Sequence, residues 1–295
     1  MSGHTRHARQ SGFTLIELAM VTVIMGFFMV GLIKAYELYQ IDKQQREQDA
    51  NMNEMRAALS RWIQDAQCVD DSGNEHGESW CAARTQYQHL GNESAGGEDA
   101  VRFPCPADPA AAPGDASYAT EQRSGVTCDT SGGVIEITDS SGTTAAYRGA
   151  FPARTVGVAP SKLVDPYGNK YSYVVSADVV DEGALLGSNP AGNIKVDDGS
   201  SSTYKSRFAL FSHGRNGAGA FTRGGNPTGL AADSGSTEFE NVDDDATFAL
   251  RQGKFMAQGD KYYDDAFAAS LVDEDDDGWW HATKDSAQDI THRNP

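Results

Sequence analysis

Between Phe13 and Ile33 the chain is almost entirely apolar, has no proline and carries a single charge, Glu17. Twenty-odd such residues in a helix rise about 30 Å, enough to cross the hydrocarbon core of a bilayer. A carboxylate in that core costs about 2.5–3.5 kcal/mol on insertion scales, and the apolar run itself contains no cation to offset it. Gly26 and Gly31 weaken an isolated helix but let helices pack closely in lipid. Lys34 ends the run, where its stem can lie along lipid and its ammonium reach the headgroups. No breaker follows until about Cys68, and the pattern over 35–68 becomes amphipathic. Tyr36, Tyr39, Met52, Met55, Leu59, Trp62 and Ile63 recur at helical spacing, with Arg46, Glu47, Asp49, Glu54 and Arg56 on the other faces. Too few heptads are present for a solvated coiled coil, so the stripe predicts a cover supplied by the downstream chain.

From 69 to 133 the sequence is rich in Gly, Ser, Asp, Ala and Pro and reads as a long loop region. It holds Cys81, Cys105 and Cys128; with Cys68 the count is four, an even number expected to form two disulfides in an exported domain. Three connectivities are open, and the sequence-nearest one, Cys68–Cys81 with Cys105–Cys128, is expected. Strands begin at Val134–Thr138, which alternates and ends at the turn signal Asp139-Ser140-Ser141-Gly142. Asp165-Pro166-Tyr167-Gly168-Asn169 predicts a tight turn, followed by a strand through Tyr171–Val175. The Gly/Ser/Asn stretch 187–202 and everything after about Gly224, including Thr247–Arg251, read as insertions. The prediction is an α+β chain: a long N-terminal helix, transmembrane over 13–34 and amphipathic over 35–68, packed on an antiparallel β-sheet domain over 134–232. A disulfide-stapled loop region spans 69–133, and an acidic C-terminal extension spans 233–295.

Ahead of the apolar run lies a short leader, 1–12, with Arg6 and Arg9 and a terminal Gly12. A secretory signal would carry its small-residue cleavage site after the apolar stretch, and none is found there. The order of basic leader, Gly12, Phe13-Thr14-Leu15-Ile16-Glu17 and apolar helix resembles the class III signal of type IV pilins and type II secretion pseudopilins. The resemblance implies that a prepilin peptidase cuts after Gly12 and methylates the new terminal Phe13. It makes Glu17 the glutamate that guides assembly, and the Phe13 ammonium of a neighbouring subunit its expected partner. Such a pair would fix the axial offset between subunits. Many relatives kink this helix with a proline where this chain has Lys34. Two later segments resemble major pseudopilins: Asp165–Tyr171 their Asp-Pro-Trp-Gly-Asn-x-Tyr turn, and Arg207–Gly217 their next strand and Ser-x-Gly-x-Asp-Gly loop, with Asn216 in place of the acidic residue. Those family loops bind calcium. The resemblance further implies a single-pass protein of the bacterial inner membrane with its C-terminal domain in the periplasm. Its expected partners are other subunits and an inner-membrane assembly platform.

The net charge of −18 argues against nucleic acid, whose phosphates need a basic face. It suits divalent cations better. Asp273-Glu274-Asp275-Asp276-Asp277-Gly278 fits the start of a calcium loop, Asp-x-Asp-x-Asp-Gly. The twelfth position holds Lys284, with Asp285 one place late, so the expected calcium ligands are Asp273, Asp275, Asp277 and Asp285. Trp279 and Trp280 follow the loop directly. His213 is a lone histidine on a turn and reads as structural. No nucleophile, base and orienting acid stand out together, so an enzyme is not expected. The function predicted is a structural filament subunit, minor in abundance given its large body. The alternative is a filament-tip binding module in which 233–295 recognises a substrate or surface.

Overall fold

The structure is a computed structural model that describes residues 15–64, 66–69, 75–76, 88–89, 102–125, 127–181, 192–197, 203–230, 241–243, 245–249 and 266–272. The chain divides into two compact units, Met1–Arg46 and Glu47–Pro295.

One helix, α1 (Leu15–Gln64), runs through both units. In the first unit its large apolar side chains are exposed, Phe27, Phe28 and Leu32 among them. The Thr22 hydroxyl is satisfied within the helix, donating to the Leu18 and Ala19 carbonyls at 3.1 and 2.9 Å. That removes the penalty of a bare hydroxyl in an apolar medium. Charge pairing starts where the apolar run stops: Lys34 pairs with Glu37 at 3.0 Å and Arg46 with Asp42 at 2.8 Å. Tyr36 and Tyr39 do not join the covered stripe; both are exposed. The burial stripe begins at Gln48 and proceeds through Asn51, Met52, Met55, Ala58, Leu59, Trp62 and Ile63, at steps of three, one, three, three, one, three and one. That is one face of a helix laid on a sheet.

The helix stops at Gln64, short of the expected Cys68. The next positions on the stripe are Ala66 and Gln67, which offer little to bury, and a strand ladder takes over the backbone hydrogen bonds. The segment expected to be loop therefore holds short strands. β1 (Ala66–Val69) lies between β2 (Glu75–His76) and β3 (Gln88–His89), and β4 (Arg123–Ser124) pairs with β5 (Thr127–Cys128).

The main sheet has seven strands. β6 (Ile135–Thr138), β7 (Thr144–Ala150) and β8 (Ser172–Ser176) form an antiparallel run that continues to β10 (Thr203–Ser212). The first half of β10 pairs with β9 (Ile194–Asp197), and β9 pairs in turn with β11 (Thr247–Ala249). β12 (Ala266–Val272) runs antiparallel along β10. Two expectations are corrected here. The stretch 187–202 contains β9, because Ile194 and Val196 alternate with polar residues and are buried. The 233–295 extension is no separate appendage, since it supplies β11 and β12 to the same sheet. The sheet is mostly antiparallel, as expected, with β9 and β11 a parallel pair.

Successive residues on a strand face opposite sides, and both sides are buried here. Tyr173, Val175, Phe208 and Leu210 share one core with Met55, Leu59 and Trp62 of α1. Val174, Ala209, Phe211, Ile194, Val196 and Phe248 share the other. Ring contacts knit each: Phe103 with Phe208 at 5.4 Å on the helix side, Phe211 with Phe248 at 5.8 Å on the far side.

Segment 102–128 joins helix to sheet. Trp62 Nε1 donates to Arg102 O at 3.1 Å, Phe103 N to Val179 O at 2.9 Å, and the Tyr173 hydroxyl to Pro104 O at 3.2 Å. The Arg102 guanidinium grips Glu121 with two hydrogen bonds, 3.0 and 3.1 Å. Ala107 and Ala150 exchange backbone hydrogen bonds at 2.8 Å, an approach that Gly149 permits. A Cβ at Gly149 would lie 2.6 Å from the Ala107 carbonyl oxygen. The expected Cys105–Cys128 disulfide closes the segment, with Cα atoms 5.4 Å apart. Cys81 and the Cys68 side chain lie outside the described residues.

Candidate functional site

Two regions carry the residues singled out by the sequence. The first is the start of α1. Glu17 falls in its first turn, where a carboxylate also complements the positive end of the helix dipole. Gly12 and Phe13 lie outside the described residues. The helix is continuous from Leu15 through Gly26, Gly31 and Lys34, so the position where relatives carry a kinking proline is regular helix here. This is the one described helix long and apolar enough to cross a membrane.

The second region is the turn before β8 and the loop after β10, which the structure brings together. Asp165 N donates to Asn169 O at 2.7 Å and Gly168 N to Asp165 O at 3.1 Å, closing the expected turn with Gly168 at φ +95°. The buried Asp165 carboxylate accepts from Tyr167 N and Asn169 N at 2.9 and 2.8 Å through Oδ1, and from the Ser212 hydroxyl at 2.7 Å through Oδ2. Burial raises its pKa above the ordinary carboxylate value, against the lowering effect of Ser212 and the turn amides. With donors on both oxygens, Asp165 organises the turn rather than presenting a free ligand face.

In the facing loop, the Asn216 side chain accepts from Ala218 N at 3.0 Å, and Gly217 N donates to His213 O at 3.1 Å. Gly217 has φ +62°, and a Cβ there would meet the Asn169 amide at 2.8 Å, so this glycine is what lets the two turns touch. Both ring nitrogens of His213 are engaged. Nδ1 lies 2.8 Å from Ala218 O and Nε2 2.7 Å from the Ser172 hydroxyl. A carbonyl can only accept, so Nδ1 carries the proton and the Ser172 hydroxyl donates to Nε2 in the neutral ring. The arrangement fastens the loop to β8.

Sequence reasoning missed Lys170. Its side chain is buried, its ammonium donates to Pro109 O at 2.7 Å and to Ala111 O, and it sits 5.1 Å from the centre of the Tyr118 ring. Burial pushes its pKa down to about 8, partly opposed by Asp108 and Asp115. Nothing in a lysine between Asn169 and Tyr171 signals that role, because its partners are backbone carbonyls some sixty residues earlier in the chain. The expected calcium ligands Asp273, Asp275, Asp277 and Asp285 lie outside the described residues. Among the described residues no group of three or more His, Cys, Asp or Glu is placed to hold a metal ion.

Comparison with protein families finds one matching model, the prokaryotic N-terminal methylation motif, over residues 7–33. No curated protein and no solved structure matches the chain. The matched stretch takes in Gly12, Phe13 and Glu17 and the apolar run of α1 up to Ile33. The chain thus begins with a prepilin-type methylation motif that leads into a long apolar helix and an α+β body, consistent with the type IV pilin and pseudopilin family.

Proposed function

We propose that this protein is a structural, non-enzymatic subunit of a type IV pilus-like or type II secretion pseudopilus filament, minor in abundance. It waits in the inner membrane with its body in the periplasm. Prepilin peptidase cuts between Gly12 and Phe13, and the processed chain enters the filament through α1. The observation that carries this reading is the methylation motif at 7–33 running directly into a helix whose apolar side chains are exposed. Exposed apolar surface of this extent needs lipid or other helices to cover it. Glu17 serves assembly in this reading by meeting the Phe13 ammonium of a neighbouring subunit, an ion pair in a low-dielectric medium. The acidic loop Asp273, Asp275, Asp277, with Asp285, takes calcium as a stabilising ion of the periplasmic body.

Processing is the direct test. Mass spectrometry of membrane-extracted protein is expected to show Phe13 as the methylated first residue, and Gly12→Leu to leave the precursor uncut. An intact leader in cells with an active prepilin peptidase would refute the assignment.

A further inference from the structure

The face that α1 lays on the sheet changes character partway along. From Met55 onward it is apolar: Met55, Ala58, Leu59, Trp62 and Ile63 are buried in the helix-side core. Ahead of Met55 the buried positions are Gln48, Asn51 and Met52, two of them polar. This stretch starts just past Arg46, where the first compact unit ends. A polar side chain gives up little on moving from the body into water, because water replaces its hydrogen bonds, whereas an apolar one loses its burial.

A clip from outside the helix holds these turns. Lys162, in the short turn Pro160–Leu163, donates from Nζ to Asn51 Oδ1 at 2.9 Å and lies 3.4 Å from a Glu54 carboxylate oxygen. The Lys162 and Glu54 side chains are 39% and 43% exposed, so water screens the ion pair and it adds little hold. Beneath the clip, docking leaves a polar group unsatisfied. Tyr171 is fully buried, and its hydroxyl has no hydrogen-bond partner among the described residues. Asn51 is its polar neighbour, but the Asn51 side-chain oxygen is engaged by Lys162. A buried hydroxyl without a partner is a cost that vanishes once water reaches it.

We infer that Glu47–Glu54 is a releasable stretch of α1, which lifts off the sheet while Met55–Ile63 stays docked. Release opens the Lys162 clip and lets water reach Tyr171. It extends the part of α1 that the core does not hold by about two turns. Under the filament reading proposed above, this gives the body latitude to settle against neighbouring subunits without disturbing its core. The joint lies within the body, so its failure would leave the Gly12–Phe13 processing result untouched.

Two native methionines, Met52 at 5% exposure and Met55 at 0%, flank the joint and report on it. In the processed full-length chain in detergent, hydrogen peroxide is expected to oxidise Met52 at least about ten-fold faster than Met55, at a rate that dilute urea barely changes. Two variants separate opening from the slight static exposure of Met52. Tyr171→Phe removes the unsatisfied hydroxyl, favours the docked state and should slow Met52 oxidation several-fold, with Met55 unchanged. Lys162→Ala removes the clip and should speed it. Equal rates for the two methionines, with the same steep dependence on urea, would mean that α1 leaves the body only by global unfolding and would overturn the inference. So would a Met52 rate that Tyr171→Phe leaves unchanged or raises, or that Lys162→Ala leaves unchanged.

Discussion

At the scale of single residues, the most consequential side chain in the body is Lys170, a cation held by carbonyls and a ring instead of a carboxylate. Folding lowers its pKa from the ordinary 10.5 to about 8. Below pH 8 both folded and unfolded chains carry the proton, and the folded state bears the penalty of a buried ammonium. Above pH 8 the folded state releases a proton that the unfolded state keeps, so stability from this group rises with pH until the ordinary value is reached. Tyr171 and Tyr173 act in the opposite sense. Burial raises both phenols, so the unfolded chain ionises first and stability falls as pH passes 10. Denaturant midpoints are therefore expected to climb between about pH 8 and 10, and Lys170→Met should flatten that climb. An unchanged pH profile in the variant would show that Lys170 does not titrate as described.

At the scale of elements, α1 has two jobs divided near Arg46. Its second part is held by the core through Met55 and Leu59, whereas its first part is an apolar surface with one carboxylate. Glu17→Ala is expected to give processed, membrane-inserted protein that does not enter filaments, and Glu17→Gln to be nearly as defective, since an amide cannot offset an ammonium in lipid. Recovery of either variant in sheared filaments at wild-type amounts would remove the role of the ion pair. The division itself was only half legible in the sequence. Met52, Met55, Leu59, Trp62 and Ile63 announce a covered face by their spacing, and that face is covered. Tyr36 and Tyr39 continue the same spacing yet are exposed, because periodicity records which side chains align and not how far the cover extends. The turn at Asp165–Asn169 was readable because Pro and Gly act locally, and so was the strand after it. β9, β11 and β12 were hidden: each is short or sits in a polar, Gly-rich neighbourhood and gains its stability from partners distant in sequence. The contact between Asp165 and Ser212 spans 47 residues, and no local signal encodes it.

At the scale of the whole molecule, the proposed calcium site is the acidic run that follows Val272 in the sequence. Calcium at about millimolar concentration is expected to raise the Tm of the processed chain and to change its tryptophan fluorescence, because Trp279 and Trp280 follow the acidic loop. With no carboxylate at the twelfth position, the expected affinity is that of extracellular modules, roughly 10⁻⁴–10⁻³ M. Magnesium should do less, since it gives up its water shell reluctantly. A titration without heat, together with an unaltered melt for Asp275→Ala, would leave the loop as solvated charge. The order of strands has a further consequence, in time instead of space. β10 sits between strands made before it, β8 and β9, and one made long after it, β12. Contacts so far apart in sequence form late and slowly. The Cys105–Cys128 bond, by contrast, closes a loop of sequence separation 23 and needs nothing beyond residue 128. If the body is exported, as proposed, the oxidised loop can be made while the chain is still crossing, whereas β12 joins β10 only after Ala266–Val272 have emerged. In the filament reading proposed above, a subunit whose β12 has not yet paired would carry an open β10 edge, so assembly before that moment would load an incomplete body into the filament.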